Sequence, residues 1–363
     1  MKKIALVAQW IVQVAQTIVL EKSYMAQDIS IKFIAEKSGF SPSTVSRVMN
    51  GNAREYRISE ETEKKILRLA DKYDYKPNPV AVSLRVKKSY TIGLVIPSLD
   101  NPFFVNVTSI LNKELTKKGY NIILTESEDN PEVEAEVINQ LLERNIDGLI
   151  LIPCKEKDKN IGLLESKFED GIPIICIDRY VKNSKIPYLT TNNEKGAYEG
   201  VKYLIERGHK KIACIQGLVE STPSVDRKNG YLAALKEYGL EPFFIGGDAF
   251  SIECGERETK KLLKNKEKPT AIFAMSSTIA LGVMKTVNEF NYKIPDDFSL
   301  MGFDDNIFLD YLSTPLTTIA QPVNEISERA VKALIDHLNG TLDLSNWSSA
   351  MLDTKIVHRK SVN

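Results

Sequence analysis

Between Ser41 and Asn50 the chain reads Ser-Pro-Ser-Thr-Val-Ser-Arg-Val-Met-Asn. At helical spacing Val45, Val48 and Met49 fall on one side, and Ser43, Thr44, Ser46 and Arg47 on the other. Hydroxyls and one guanidinium on an exposed face can grip phosphate oxygens and base edges; they are poorly equipped to make or break bonds. Residues suited to bond chemistry are thin elsewhere. The three histidines (His209, His337, His358) have neither metal-ligand spacing nor a neighbouring nucleophile motif. The four cysteines (Cys154, Cys176, Cys214, Cys254) lie far apart without a C-x-x-C pair, which argues against a zinc site or disulfide framework and fits a reducing compartment. Neither G-x-G-x-x-G nor G-x-x-x-x-G-K-[ST] occurs, so no cofactor is expected and an enzyme has no visible machinery.

The elements around that face read clearly. Ile31, Ile34, Ala35 and Ser38 share one side of a short helix, with Ser30 as N-cap and Gly39 as its stop. Phe40 is expected to be a buried turn residue. Ser41 caps a second helix, Pro42 to Met49, with proline at N1 where a missing N–H is harmless. A third helix starts at Ser59, with Thr62 in the place of the usual acidic partner; it carries Ile66, Leu69, Ala70 and Tyr73 and stops before Lys76-Pro77. Two short helices about a glycine turn form a helix-turn-helix, whose second helix enters the major groove. Charge agrees. The 363 residues hold 48 basic and 48 acidic side chains, yet Ile29–Lys88 holds thirteen basic against seven acidic, a local +6 balanced by −6 elsewhere. A basic module on an acidic body is the layout of a nucleic-acid binder. The length predicts two or three compact units, and 43% hydrophobic with 26% charged residues excludes wholesale disorder.

Lys2-Lys3 precedes an uncharged run, Ile4–Leu20. Three readings stand: an extension without function ahead of an alternative start at Met25, a helical arm, or a membrane anchor. Gln9, Gln13 and Gln16 place a polar stripe on one helix face, which suits a lipid-spanning helix poorly. The first reading is the expectation for residues 1–28.

The segment Ile34-Ala-Glu-Lys-Ser-Gly-Phe-Ser-Pro-Ser-Thr-Val-Ser-Arg-Val-Met-Asn-Gly51 resembles the headpiece of the LacI/GalR family of bacterial repressors. Further matches follow in order: Tyr75-Lys-Pro-Asn78, Asn101-Pro-Phe-Phe104, Gly208-His209, Gly302-Phe-Asp304 and Thr314-Pro-Leu-Thr-Thr-Ile-Ala-Gln-Pro322. The resemblance implies a headpiece over 29–77, a hinge helix and linker over 78–90, and an effector-binding body over 91–363. It implies that Arg47 reads a guanine edge with Ser43 beside it, that Pro42 makes at most an apolar contact, that Thr44, Ser46 and Asn50 meet mainly phosphate, and that the capping Ser41 belongs to the DNA-binding set. The turn Asn52-Ala-Arg-Glu-Tyr-Arg57 is longer than usual for the family and adds Arg54 and Arg57 as phosphate contacts. Phe33 replaces the usual acidic residue and so removes a partner for Ser30. Tyr75, Asn78, Ala81 and Arg85 complete the DNA-binding set, with Leu84 as an apolar wedge into a minor-groove step.

From Thr91 the texture is βαβ. Apolar strands at Ile92–Ile96, Ile122–Leu124, Gly148–Ile152 and Ile174–Ile177 alternate with helices such as Val133–Leu142. A second set follows at Ile212–Ile215, Phe243–Ile245, Ala271–Phe273 and Leu300–Phe303. Such runs predict an α/β body of two parallel-sheet lobes, with ligands at the carboxyl ends of strands. The family's body is similar to a periplasmic sugar-binding protein whose chain crosses three times between lobes. Here that implies a first lobe of about 91–190 and 321–350, a second of about 191–320 and 351–360, and a helix Val323–Leu338 returning to the first. Pocket candidates are Phe103 and Phe104 as an aromatic wall, Arg227 as a fork onto hydroxyls or a carboxylate, and Asp304 as an acceptor. Asp178, Phe250, Asn192 and Ser277 complete the set; Asn192 and Ser276-Ser277 stand where relatives carry acidic or Asn-Asp residues.

Together these readings predict a cytoplasmic repressor that binds a pseudo-palindromic operator in double-stranded DNA as a homodimer, under control of a small-molecule effector. The family's most frequent effector is a sugar, and a nucleobase is the second choice. The short tail after Ile356 leaves no room for a tetramerising heptad repeat. The rival reading is a periplasmic-type solute-binding protein, against which the basic helix-turn-helix speaks.

Overall fold

A computed structural model describes residues 29–76, 88–154 and 160–363. The chain divides after Lys87 into two compact units.

The first unit is built on three capped helices, α1 (Ile31–Ser38), α2 (Pro42–Met49) and α3 (Glu60–Lys72). Ser30 Oγ accepts the Phe33 N–H at 3.4 Å, and Gly39, at φ 78°, closes α1 by donating to Ala35 O at 3.0 Å. Ser41 Oγ accepts the Thr44 N–H at 3.1 Å, with Pro42 in the first turn. At α3 the Ser59 hydroxyl accepts the Thr62 N–H and donates to Thr62 Oγ1 at 2.9 Å, so a threonine engages the cap in place of an acid. Ile34, Val45, Val48, Ala53 and Ile66 form the core. Phe33 packs edge-on against Tyr73, with ring centroids 5.1 Å apart. Phe40, expected to be buried, is only half-buried. It lies at the edge of the core with Lys65 Nζ 5.3 Å over its ring.

The second unit runs β1 (Thr91–Ile96), α4 (Pro102–Lys117), β2 (Asn121–Glu126), α5 (Pro131–Glu143), β3 (Gly148–Leu151), α6 (Ile161–Glu169), β4 (Ile174–Ile177) and β5 (Tyr188–Thr191). It continues through α7 (Asn193–Glu206), β6 (Ile212–Ile215), α8 (Thr222–Glu237), β7 (Phe244–Gly246), α9 (Ile252–Lys264), β8 (Ala271–Ala274), α10 (Ser277–Glu289) and β9 (Ser299–Phe303). A 3-10 turn (Ile307–Asp310), β10 (Thr317–Ala320), α11 (Val323–Leu338), β11 (Ala350–Leu352) and β12 (Lys355–Val357) complete it. Two six-stranded sheets result, ordered β11-β5-β4-β3-β1-β2 and β12-β10-β9-β8-β6-β7. They are one pattern used twice, with β1–β5 matching β6–β10, and all pairings are parallel except β12 on β10. Central strands such as β3, β4, β6 and β8 are wholly buried, as parallel strands covered on both faces must be.

The chain changes sheet after β5, after β10 and between β11 and β12, and α11 packs on α4 and β4 in the first lobe. Strands β5, β10, β11 and β12 escaped the sequence reading. Each is three or four residues long, and β5 and β10 carry threonine pairs that break an apolar run. Among the described residues no helix is long and apolar enough to cross a membrane. The segment Ile4–Leu20 lies outside the described residues.

Candidate functional site

Two sites emerge, one in each unit. On α2 the hydroxyls are already tied together: Ser41 Oγ lies 2.8 Å from Ser43 Oγ and 2.9 Å from Thr44 Oγ1. Asn50 caps the other end of α2, its side-chain amide donating to Ser46 O and, at 3.3 Å, to Ser46 Oγ. The Arg47 side chain is exposed, with its guanidinium carbon 4.0 Å from the centroid of the Tyr56 ring. Arg54 and Arg57 are exposed on the turn that follows. Tyr75 is half-buried against the headpiece core, and burial raises its phenol pKa. Asn78, Ala81, Leu84 and Arg85 lie outside the described residues. Tyr56 was missed in sequence, although its place between Arg54 and Arg57 in an extended turn was visible.

In the second unit the two sheets end at one cleft. Asp178 follows β4 and Asp304 follows β9, matching positions of the repeated pattern. Both adopt left-handed backbone (φ 60° and 70°), with N–H groups donating to Leu189 O and Ile319 O at 3.0 Å each. Aspartate tolerates this conformation better than most side chains, and the two matching positions share it because each backbone turns at the end of its strand. Phe103, Phe104, Asp178, Arg179, Arg227, Phe250 and Asp304 line the cleft with Asn101, Pro223 and Gln321.

The cleft polar groups grip one another. Arg227 Nε donates to Asn193 Oδ1 at 2.8 Å, Nη1 donates to Met275 O at 2.5 Å, and Nη2 lies 3.6 Å from Asp304 Oδ1. Its face stacks on Phe303, 3.6 Å from the ring centroid. Gln321 Nε2 donates to Asp304 Oδ1 at 2.6 Å and its carbonyl accepts from Thr191 Oγ1 at 2.5 Å, so residues of two of the three chain crossings meet. Arg179 pairs with Asp129 and donates to Cys154 O at 3.2 Å. Its guanidinium lies 5.8 Å from the Phe104 ring and 5.9 Å from that of Phe250, bridging aromatic walls of the two lobes.

Burial sets the ionisation. It pushes Asp178 up to about 6 although Arg179 and Arg227 oppose the shift, and Asp178 Oδ1 is buried without a hydrogen-bond partner. Burial also raises Asp304, against Arg227 and Gln321, and lowers Arg227. It works against the Arg179 charge too, but Asp129 more than offsets it. The cavity measures only about 20 Å³, room for roughly one water, whereas ligand pockets run to roughly 300–1,000 Å³. In this arrangement the cleft is too small for a molecule of sugar size.

Two expected pocket residues do not line this cavity. Asn192 caps α7, accepting the Lys195 N–H at 3.3 Å and reaching toward Asp353. Its neighbour Asn193 turns inward and holds Arg227. Ser277 is buried in the first turn of α10, while Ser276 Oγ caps the Ile279 N–H at 3.1 Å and meets Thr278 Oγ1. Of the lining residues that were not expected, which include Asn101 and Pro223, Arg179 and Gln321 carry the polar network. Arg179 directly follows Asp178, and Gln321 lies within the Thr314–Pro322 motif. The four cysteines are buried and none is in a disulfide.

The chain matches two family profiles: "Bacterial regulatory proteins, lacI family" over residues 30–78, and "Periplasmic binding proteins and sugar binding domain of LacI family" over 89–335. The chain belongs to the LacI family. This LacI-family chain is 33% identical over 334 residues to the NTD biosynthesis operon regulator NtdR of Bacillus subtilis, covering 92% of this chain and 99% of that one. It is 31% identical to the ribose operon repressor of Haemophilus influenzae, covering 92% and 98%. A structure of the lac repressor dimer bound to operator and the anti-inducer ONPF superposes with TM-score 0.82 at 25% identity, covering 92% and 98%. These curated relatives are regulators of operons.

Proposed function

We propose that this protein is a transcription repressor whose headpiece binds a pseudo-palindromic operator, and whose affinity for it is set by a neutral sugar bound between the lobes. The carrying observation is one chain that joins an exposed guanidinium on a helix-turn-helix to a closable cleft of two carboxylates and two guanidiniums between aromatic rings. Carboxylates accept from ligand hydroxyls, guanidiniums donate to hydroxyl or ring oxygens, and the phenyl faces of Phe103, Phe104 and Phe250 cover an apolar ring face. Asp129, Asp178 and Asp304 outnumber Arg179 and Arg227, which suits an uncharged polyol better than an anion. The match to a sugar-binding family profile supports the same reading.

The assembly is a homodimer, as in the lac repressor structure. Ile307 and Tyr311, 75% and 82% exposed on and beside the 3-10 turn, supply apolar surface for a partner copy. No bond-making machinery accompanies the cleft polar groups, so an enzyme is not proposed. Acting on the bacterial chromosome places the protein in the cytoplasm. Residues 29–77 serve as headpiece and 78–90 as hinge.

Selection from a random-sequence duplex pool tests the DNA reading; the full chain should enrich a two-fold-symmetric site, and enrichment of no site would overturn it. On that site Arg47→Ala is expected to cost about 1–3 kcal/mol and to flatten the preference at one base pair per half-site. An equal loss on random duplex would make Arg47 a phosphate contact only.

A further inference from the structure

The turn after α2 is built to carry an aromatic ring to Arg47. Asn52 N–H donates to Arg47 O at 2.9 Å, Tyr56 N–H to Asn52 O at 3.2 Å, and Ile58 N–H to Ala53 O at 2.9 Å. Ala53 is buried in the headpiece core and anchors the turn there. Arg57 then takes left-handed backbone at φ 55°, a conformation such a residue seldom adopts unless its surroundings hold it. Tyr56 itself is 46% exposed, so core packing does not account for its position. Its ring centroid lies 4.0 Å from the Arg47 guanidinium carbon, well inside the roughly 6 Å range of a cation–π contact. This contact engages the guanidinium through the aromatic ring and not through a hydrogen bond at its N–H edge. Among the described residues no hydrogen bond or ion pair engages that edge.

We propose that Tyr56 is a positioning residue for base readout: it holds the Arg47 fork against its ring, edge outward, so that the fork meets a guanine with its rotamer already chosen. The proposal rests on the reading of Arg47 as the base-contacting residue. An unrestrained arginine loses much rotamer freedom when it docks. Restricting it beforehand favours the bidentate contact, which needs one orientation, over phosphate contacts that accept many. Removing the ring should therefore weaken discrimination between bases more than general affinity for DNA.

The test uses the full chain, the symmetric duplex that it enriches from a random pool, and a duplex set with each half-site base pair changed in turn. Tyr56→Leu should lower the preference by about two- to fivefold at the position that Arg47→Ala flattens. Other positions, random-duplex affinity and the thermal midpoint should stay unchanged, and Tyr56→Phe, which keeps the ring, should restore the preference. Preserved or sharpened preference in Tyr56→Leu, or an equal loss on every duplex, would overturn the positioning role while Arg47 still reads its base. If Arg47→Ala flattens no position, the base-reading assignment itself fails and the role of Tyr56 falls with it.

Discussion

Replacing Arg227 by alanine is expected to destabilise the second unit by about 3–5 kcal/mol, a fall of roughly 10 °C in thermal midpoint, and to abolish the response to effector. Arg227 is 2% exposed and holds Asn193, Met275 O and Asp304 at once while stacking on Phe303. Truncation would leave the Asp304 carboxylate buried without its cation and two acceptors without their donor. Breaking one side of such a pair is far costlier than never having built it. Arg227→Lys keeps the charge but loses the fork and the planar stack, so it should fall between the two. Thermal melts of the three proteins, with and without sugar, measure this. A fall of less than about 2 °C would mean that the network is not under the load described.

The second large effect has the opposite sign. In the unfolded chain Asp178 titrates near the ordinary carboxyl value of 3.8; burial in the folded cleft raises this to about 6. Between those values the unfolded chain releases a proton that the folded one keeps. Stability therefore falls as pH rises through that window, by about 3 kcal/mol in all at pH 7. Asp178→Asn removes the penalty. The variant should be the more stable protein at pH 7, keep about half of its advantage at pH 5 and lose most of it near pH 4. It should also bind effector more weakly if Asp178 accepts from a ligand hydroxyl as proposed, because a neutral amide oxygen is a weaker acceptor than a carboxylate and the amide nitrogen does not accept at all. Stability given up at a binding site is a common trade. An advantage that does not change with pH would show that Asp178 is already paired or solvated in the fold.

The headpiece was legible because its signals are local. Ser30, Gly39, Ser41, Pro42 and Ser59 each fix a helix end through their own backbone neighbours. The cleft was legible where a residue ends a strong apolar strand, as Asp178 and Asp304 do. It was not legible at helix starts, where two adjacent residues compete and only tertiary packing decides which turns inward. Asn192 caps while Asn193 holds Arg227, a distinction of one position that composition cannot make. The stack of Arg47 on Tyr56 depends on a loop whose path is set by a buried alanine, and no periodicity reports that. Strands β11 and β12 are short segments that acquire their identity from the sheet each one joins.

Occupancy of the cleft should control DNA binding, and a single titration decides whether it does. The full chain is bound to its selected symmetric duplex, and anisotropy is followed as neutral sugars (ribose, glucose, trehalose and cellobiose) are added singly, with adenine and hypoxanthine in parallel. At least one sugar should change duplex affinity by about five- to 150-fold, Arg227→Ala should lose the change, and the bases should do nothing. A duplex affinity moved by a base and by none of the sugars, or a sugar effect that survives in Arg227→Ala, would contradict control by a sugar in the cleft.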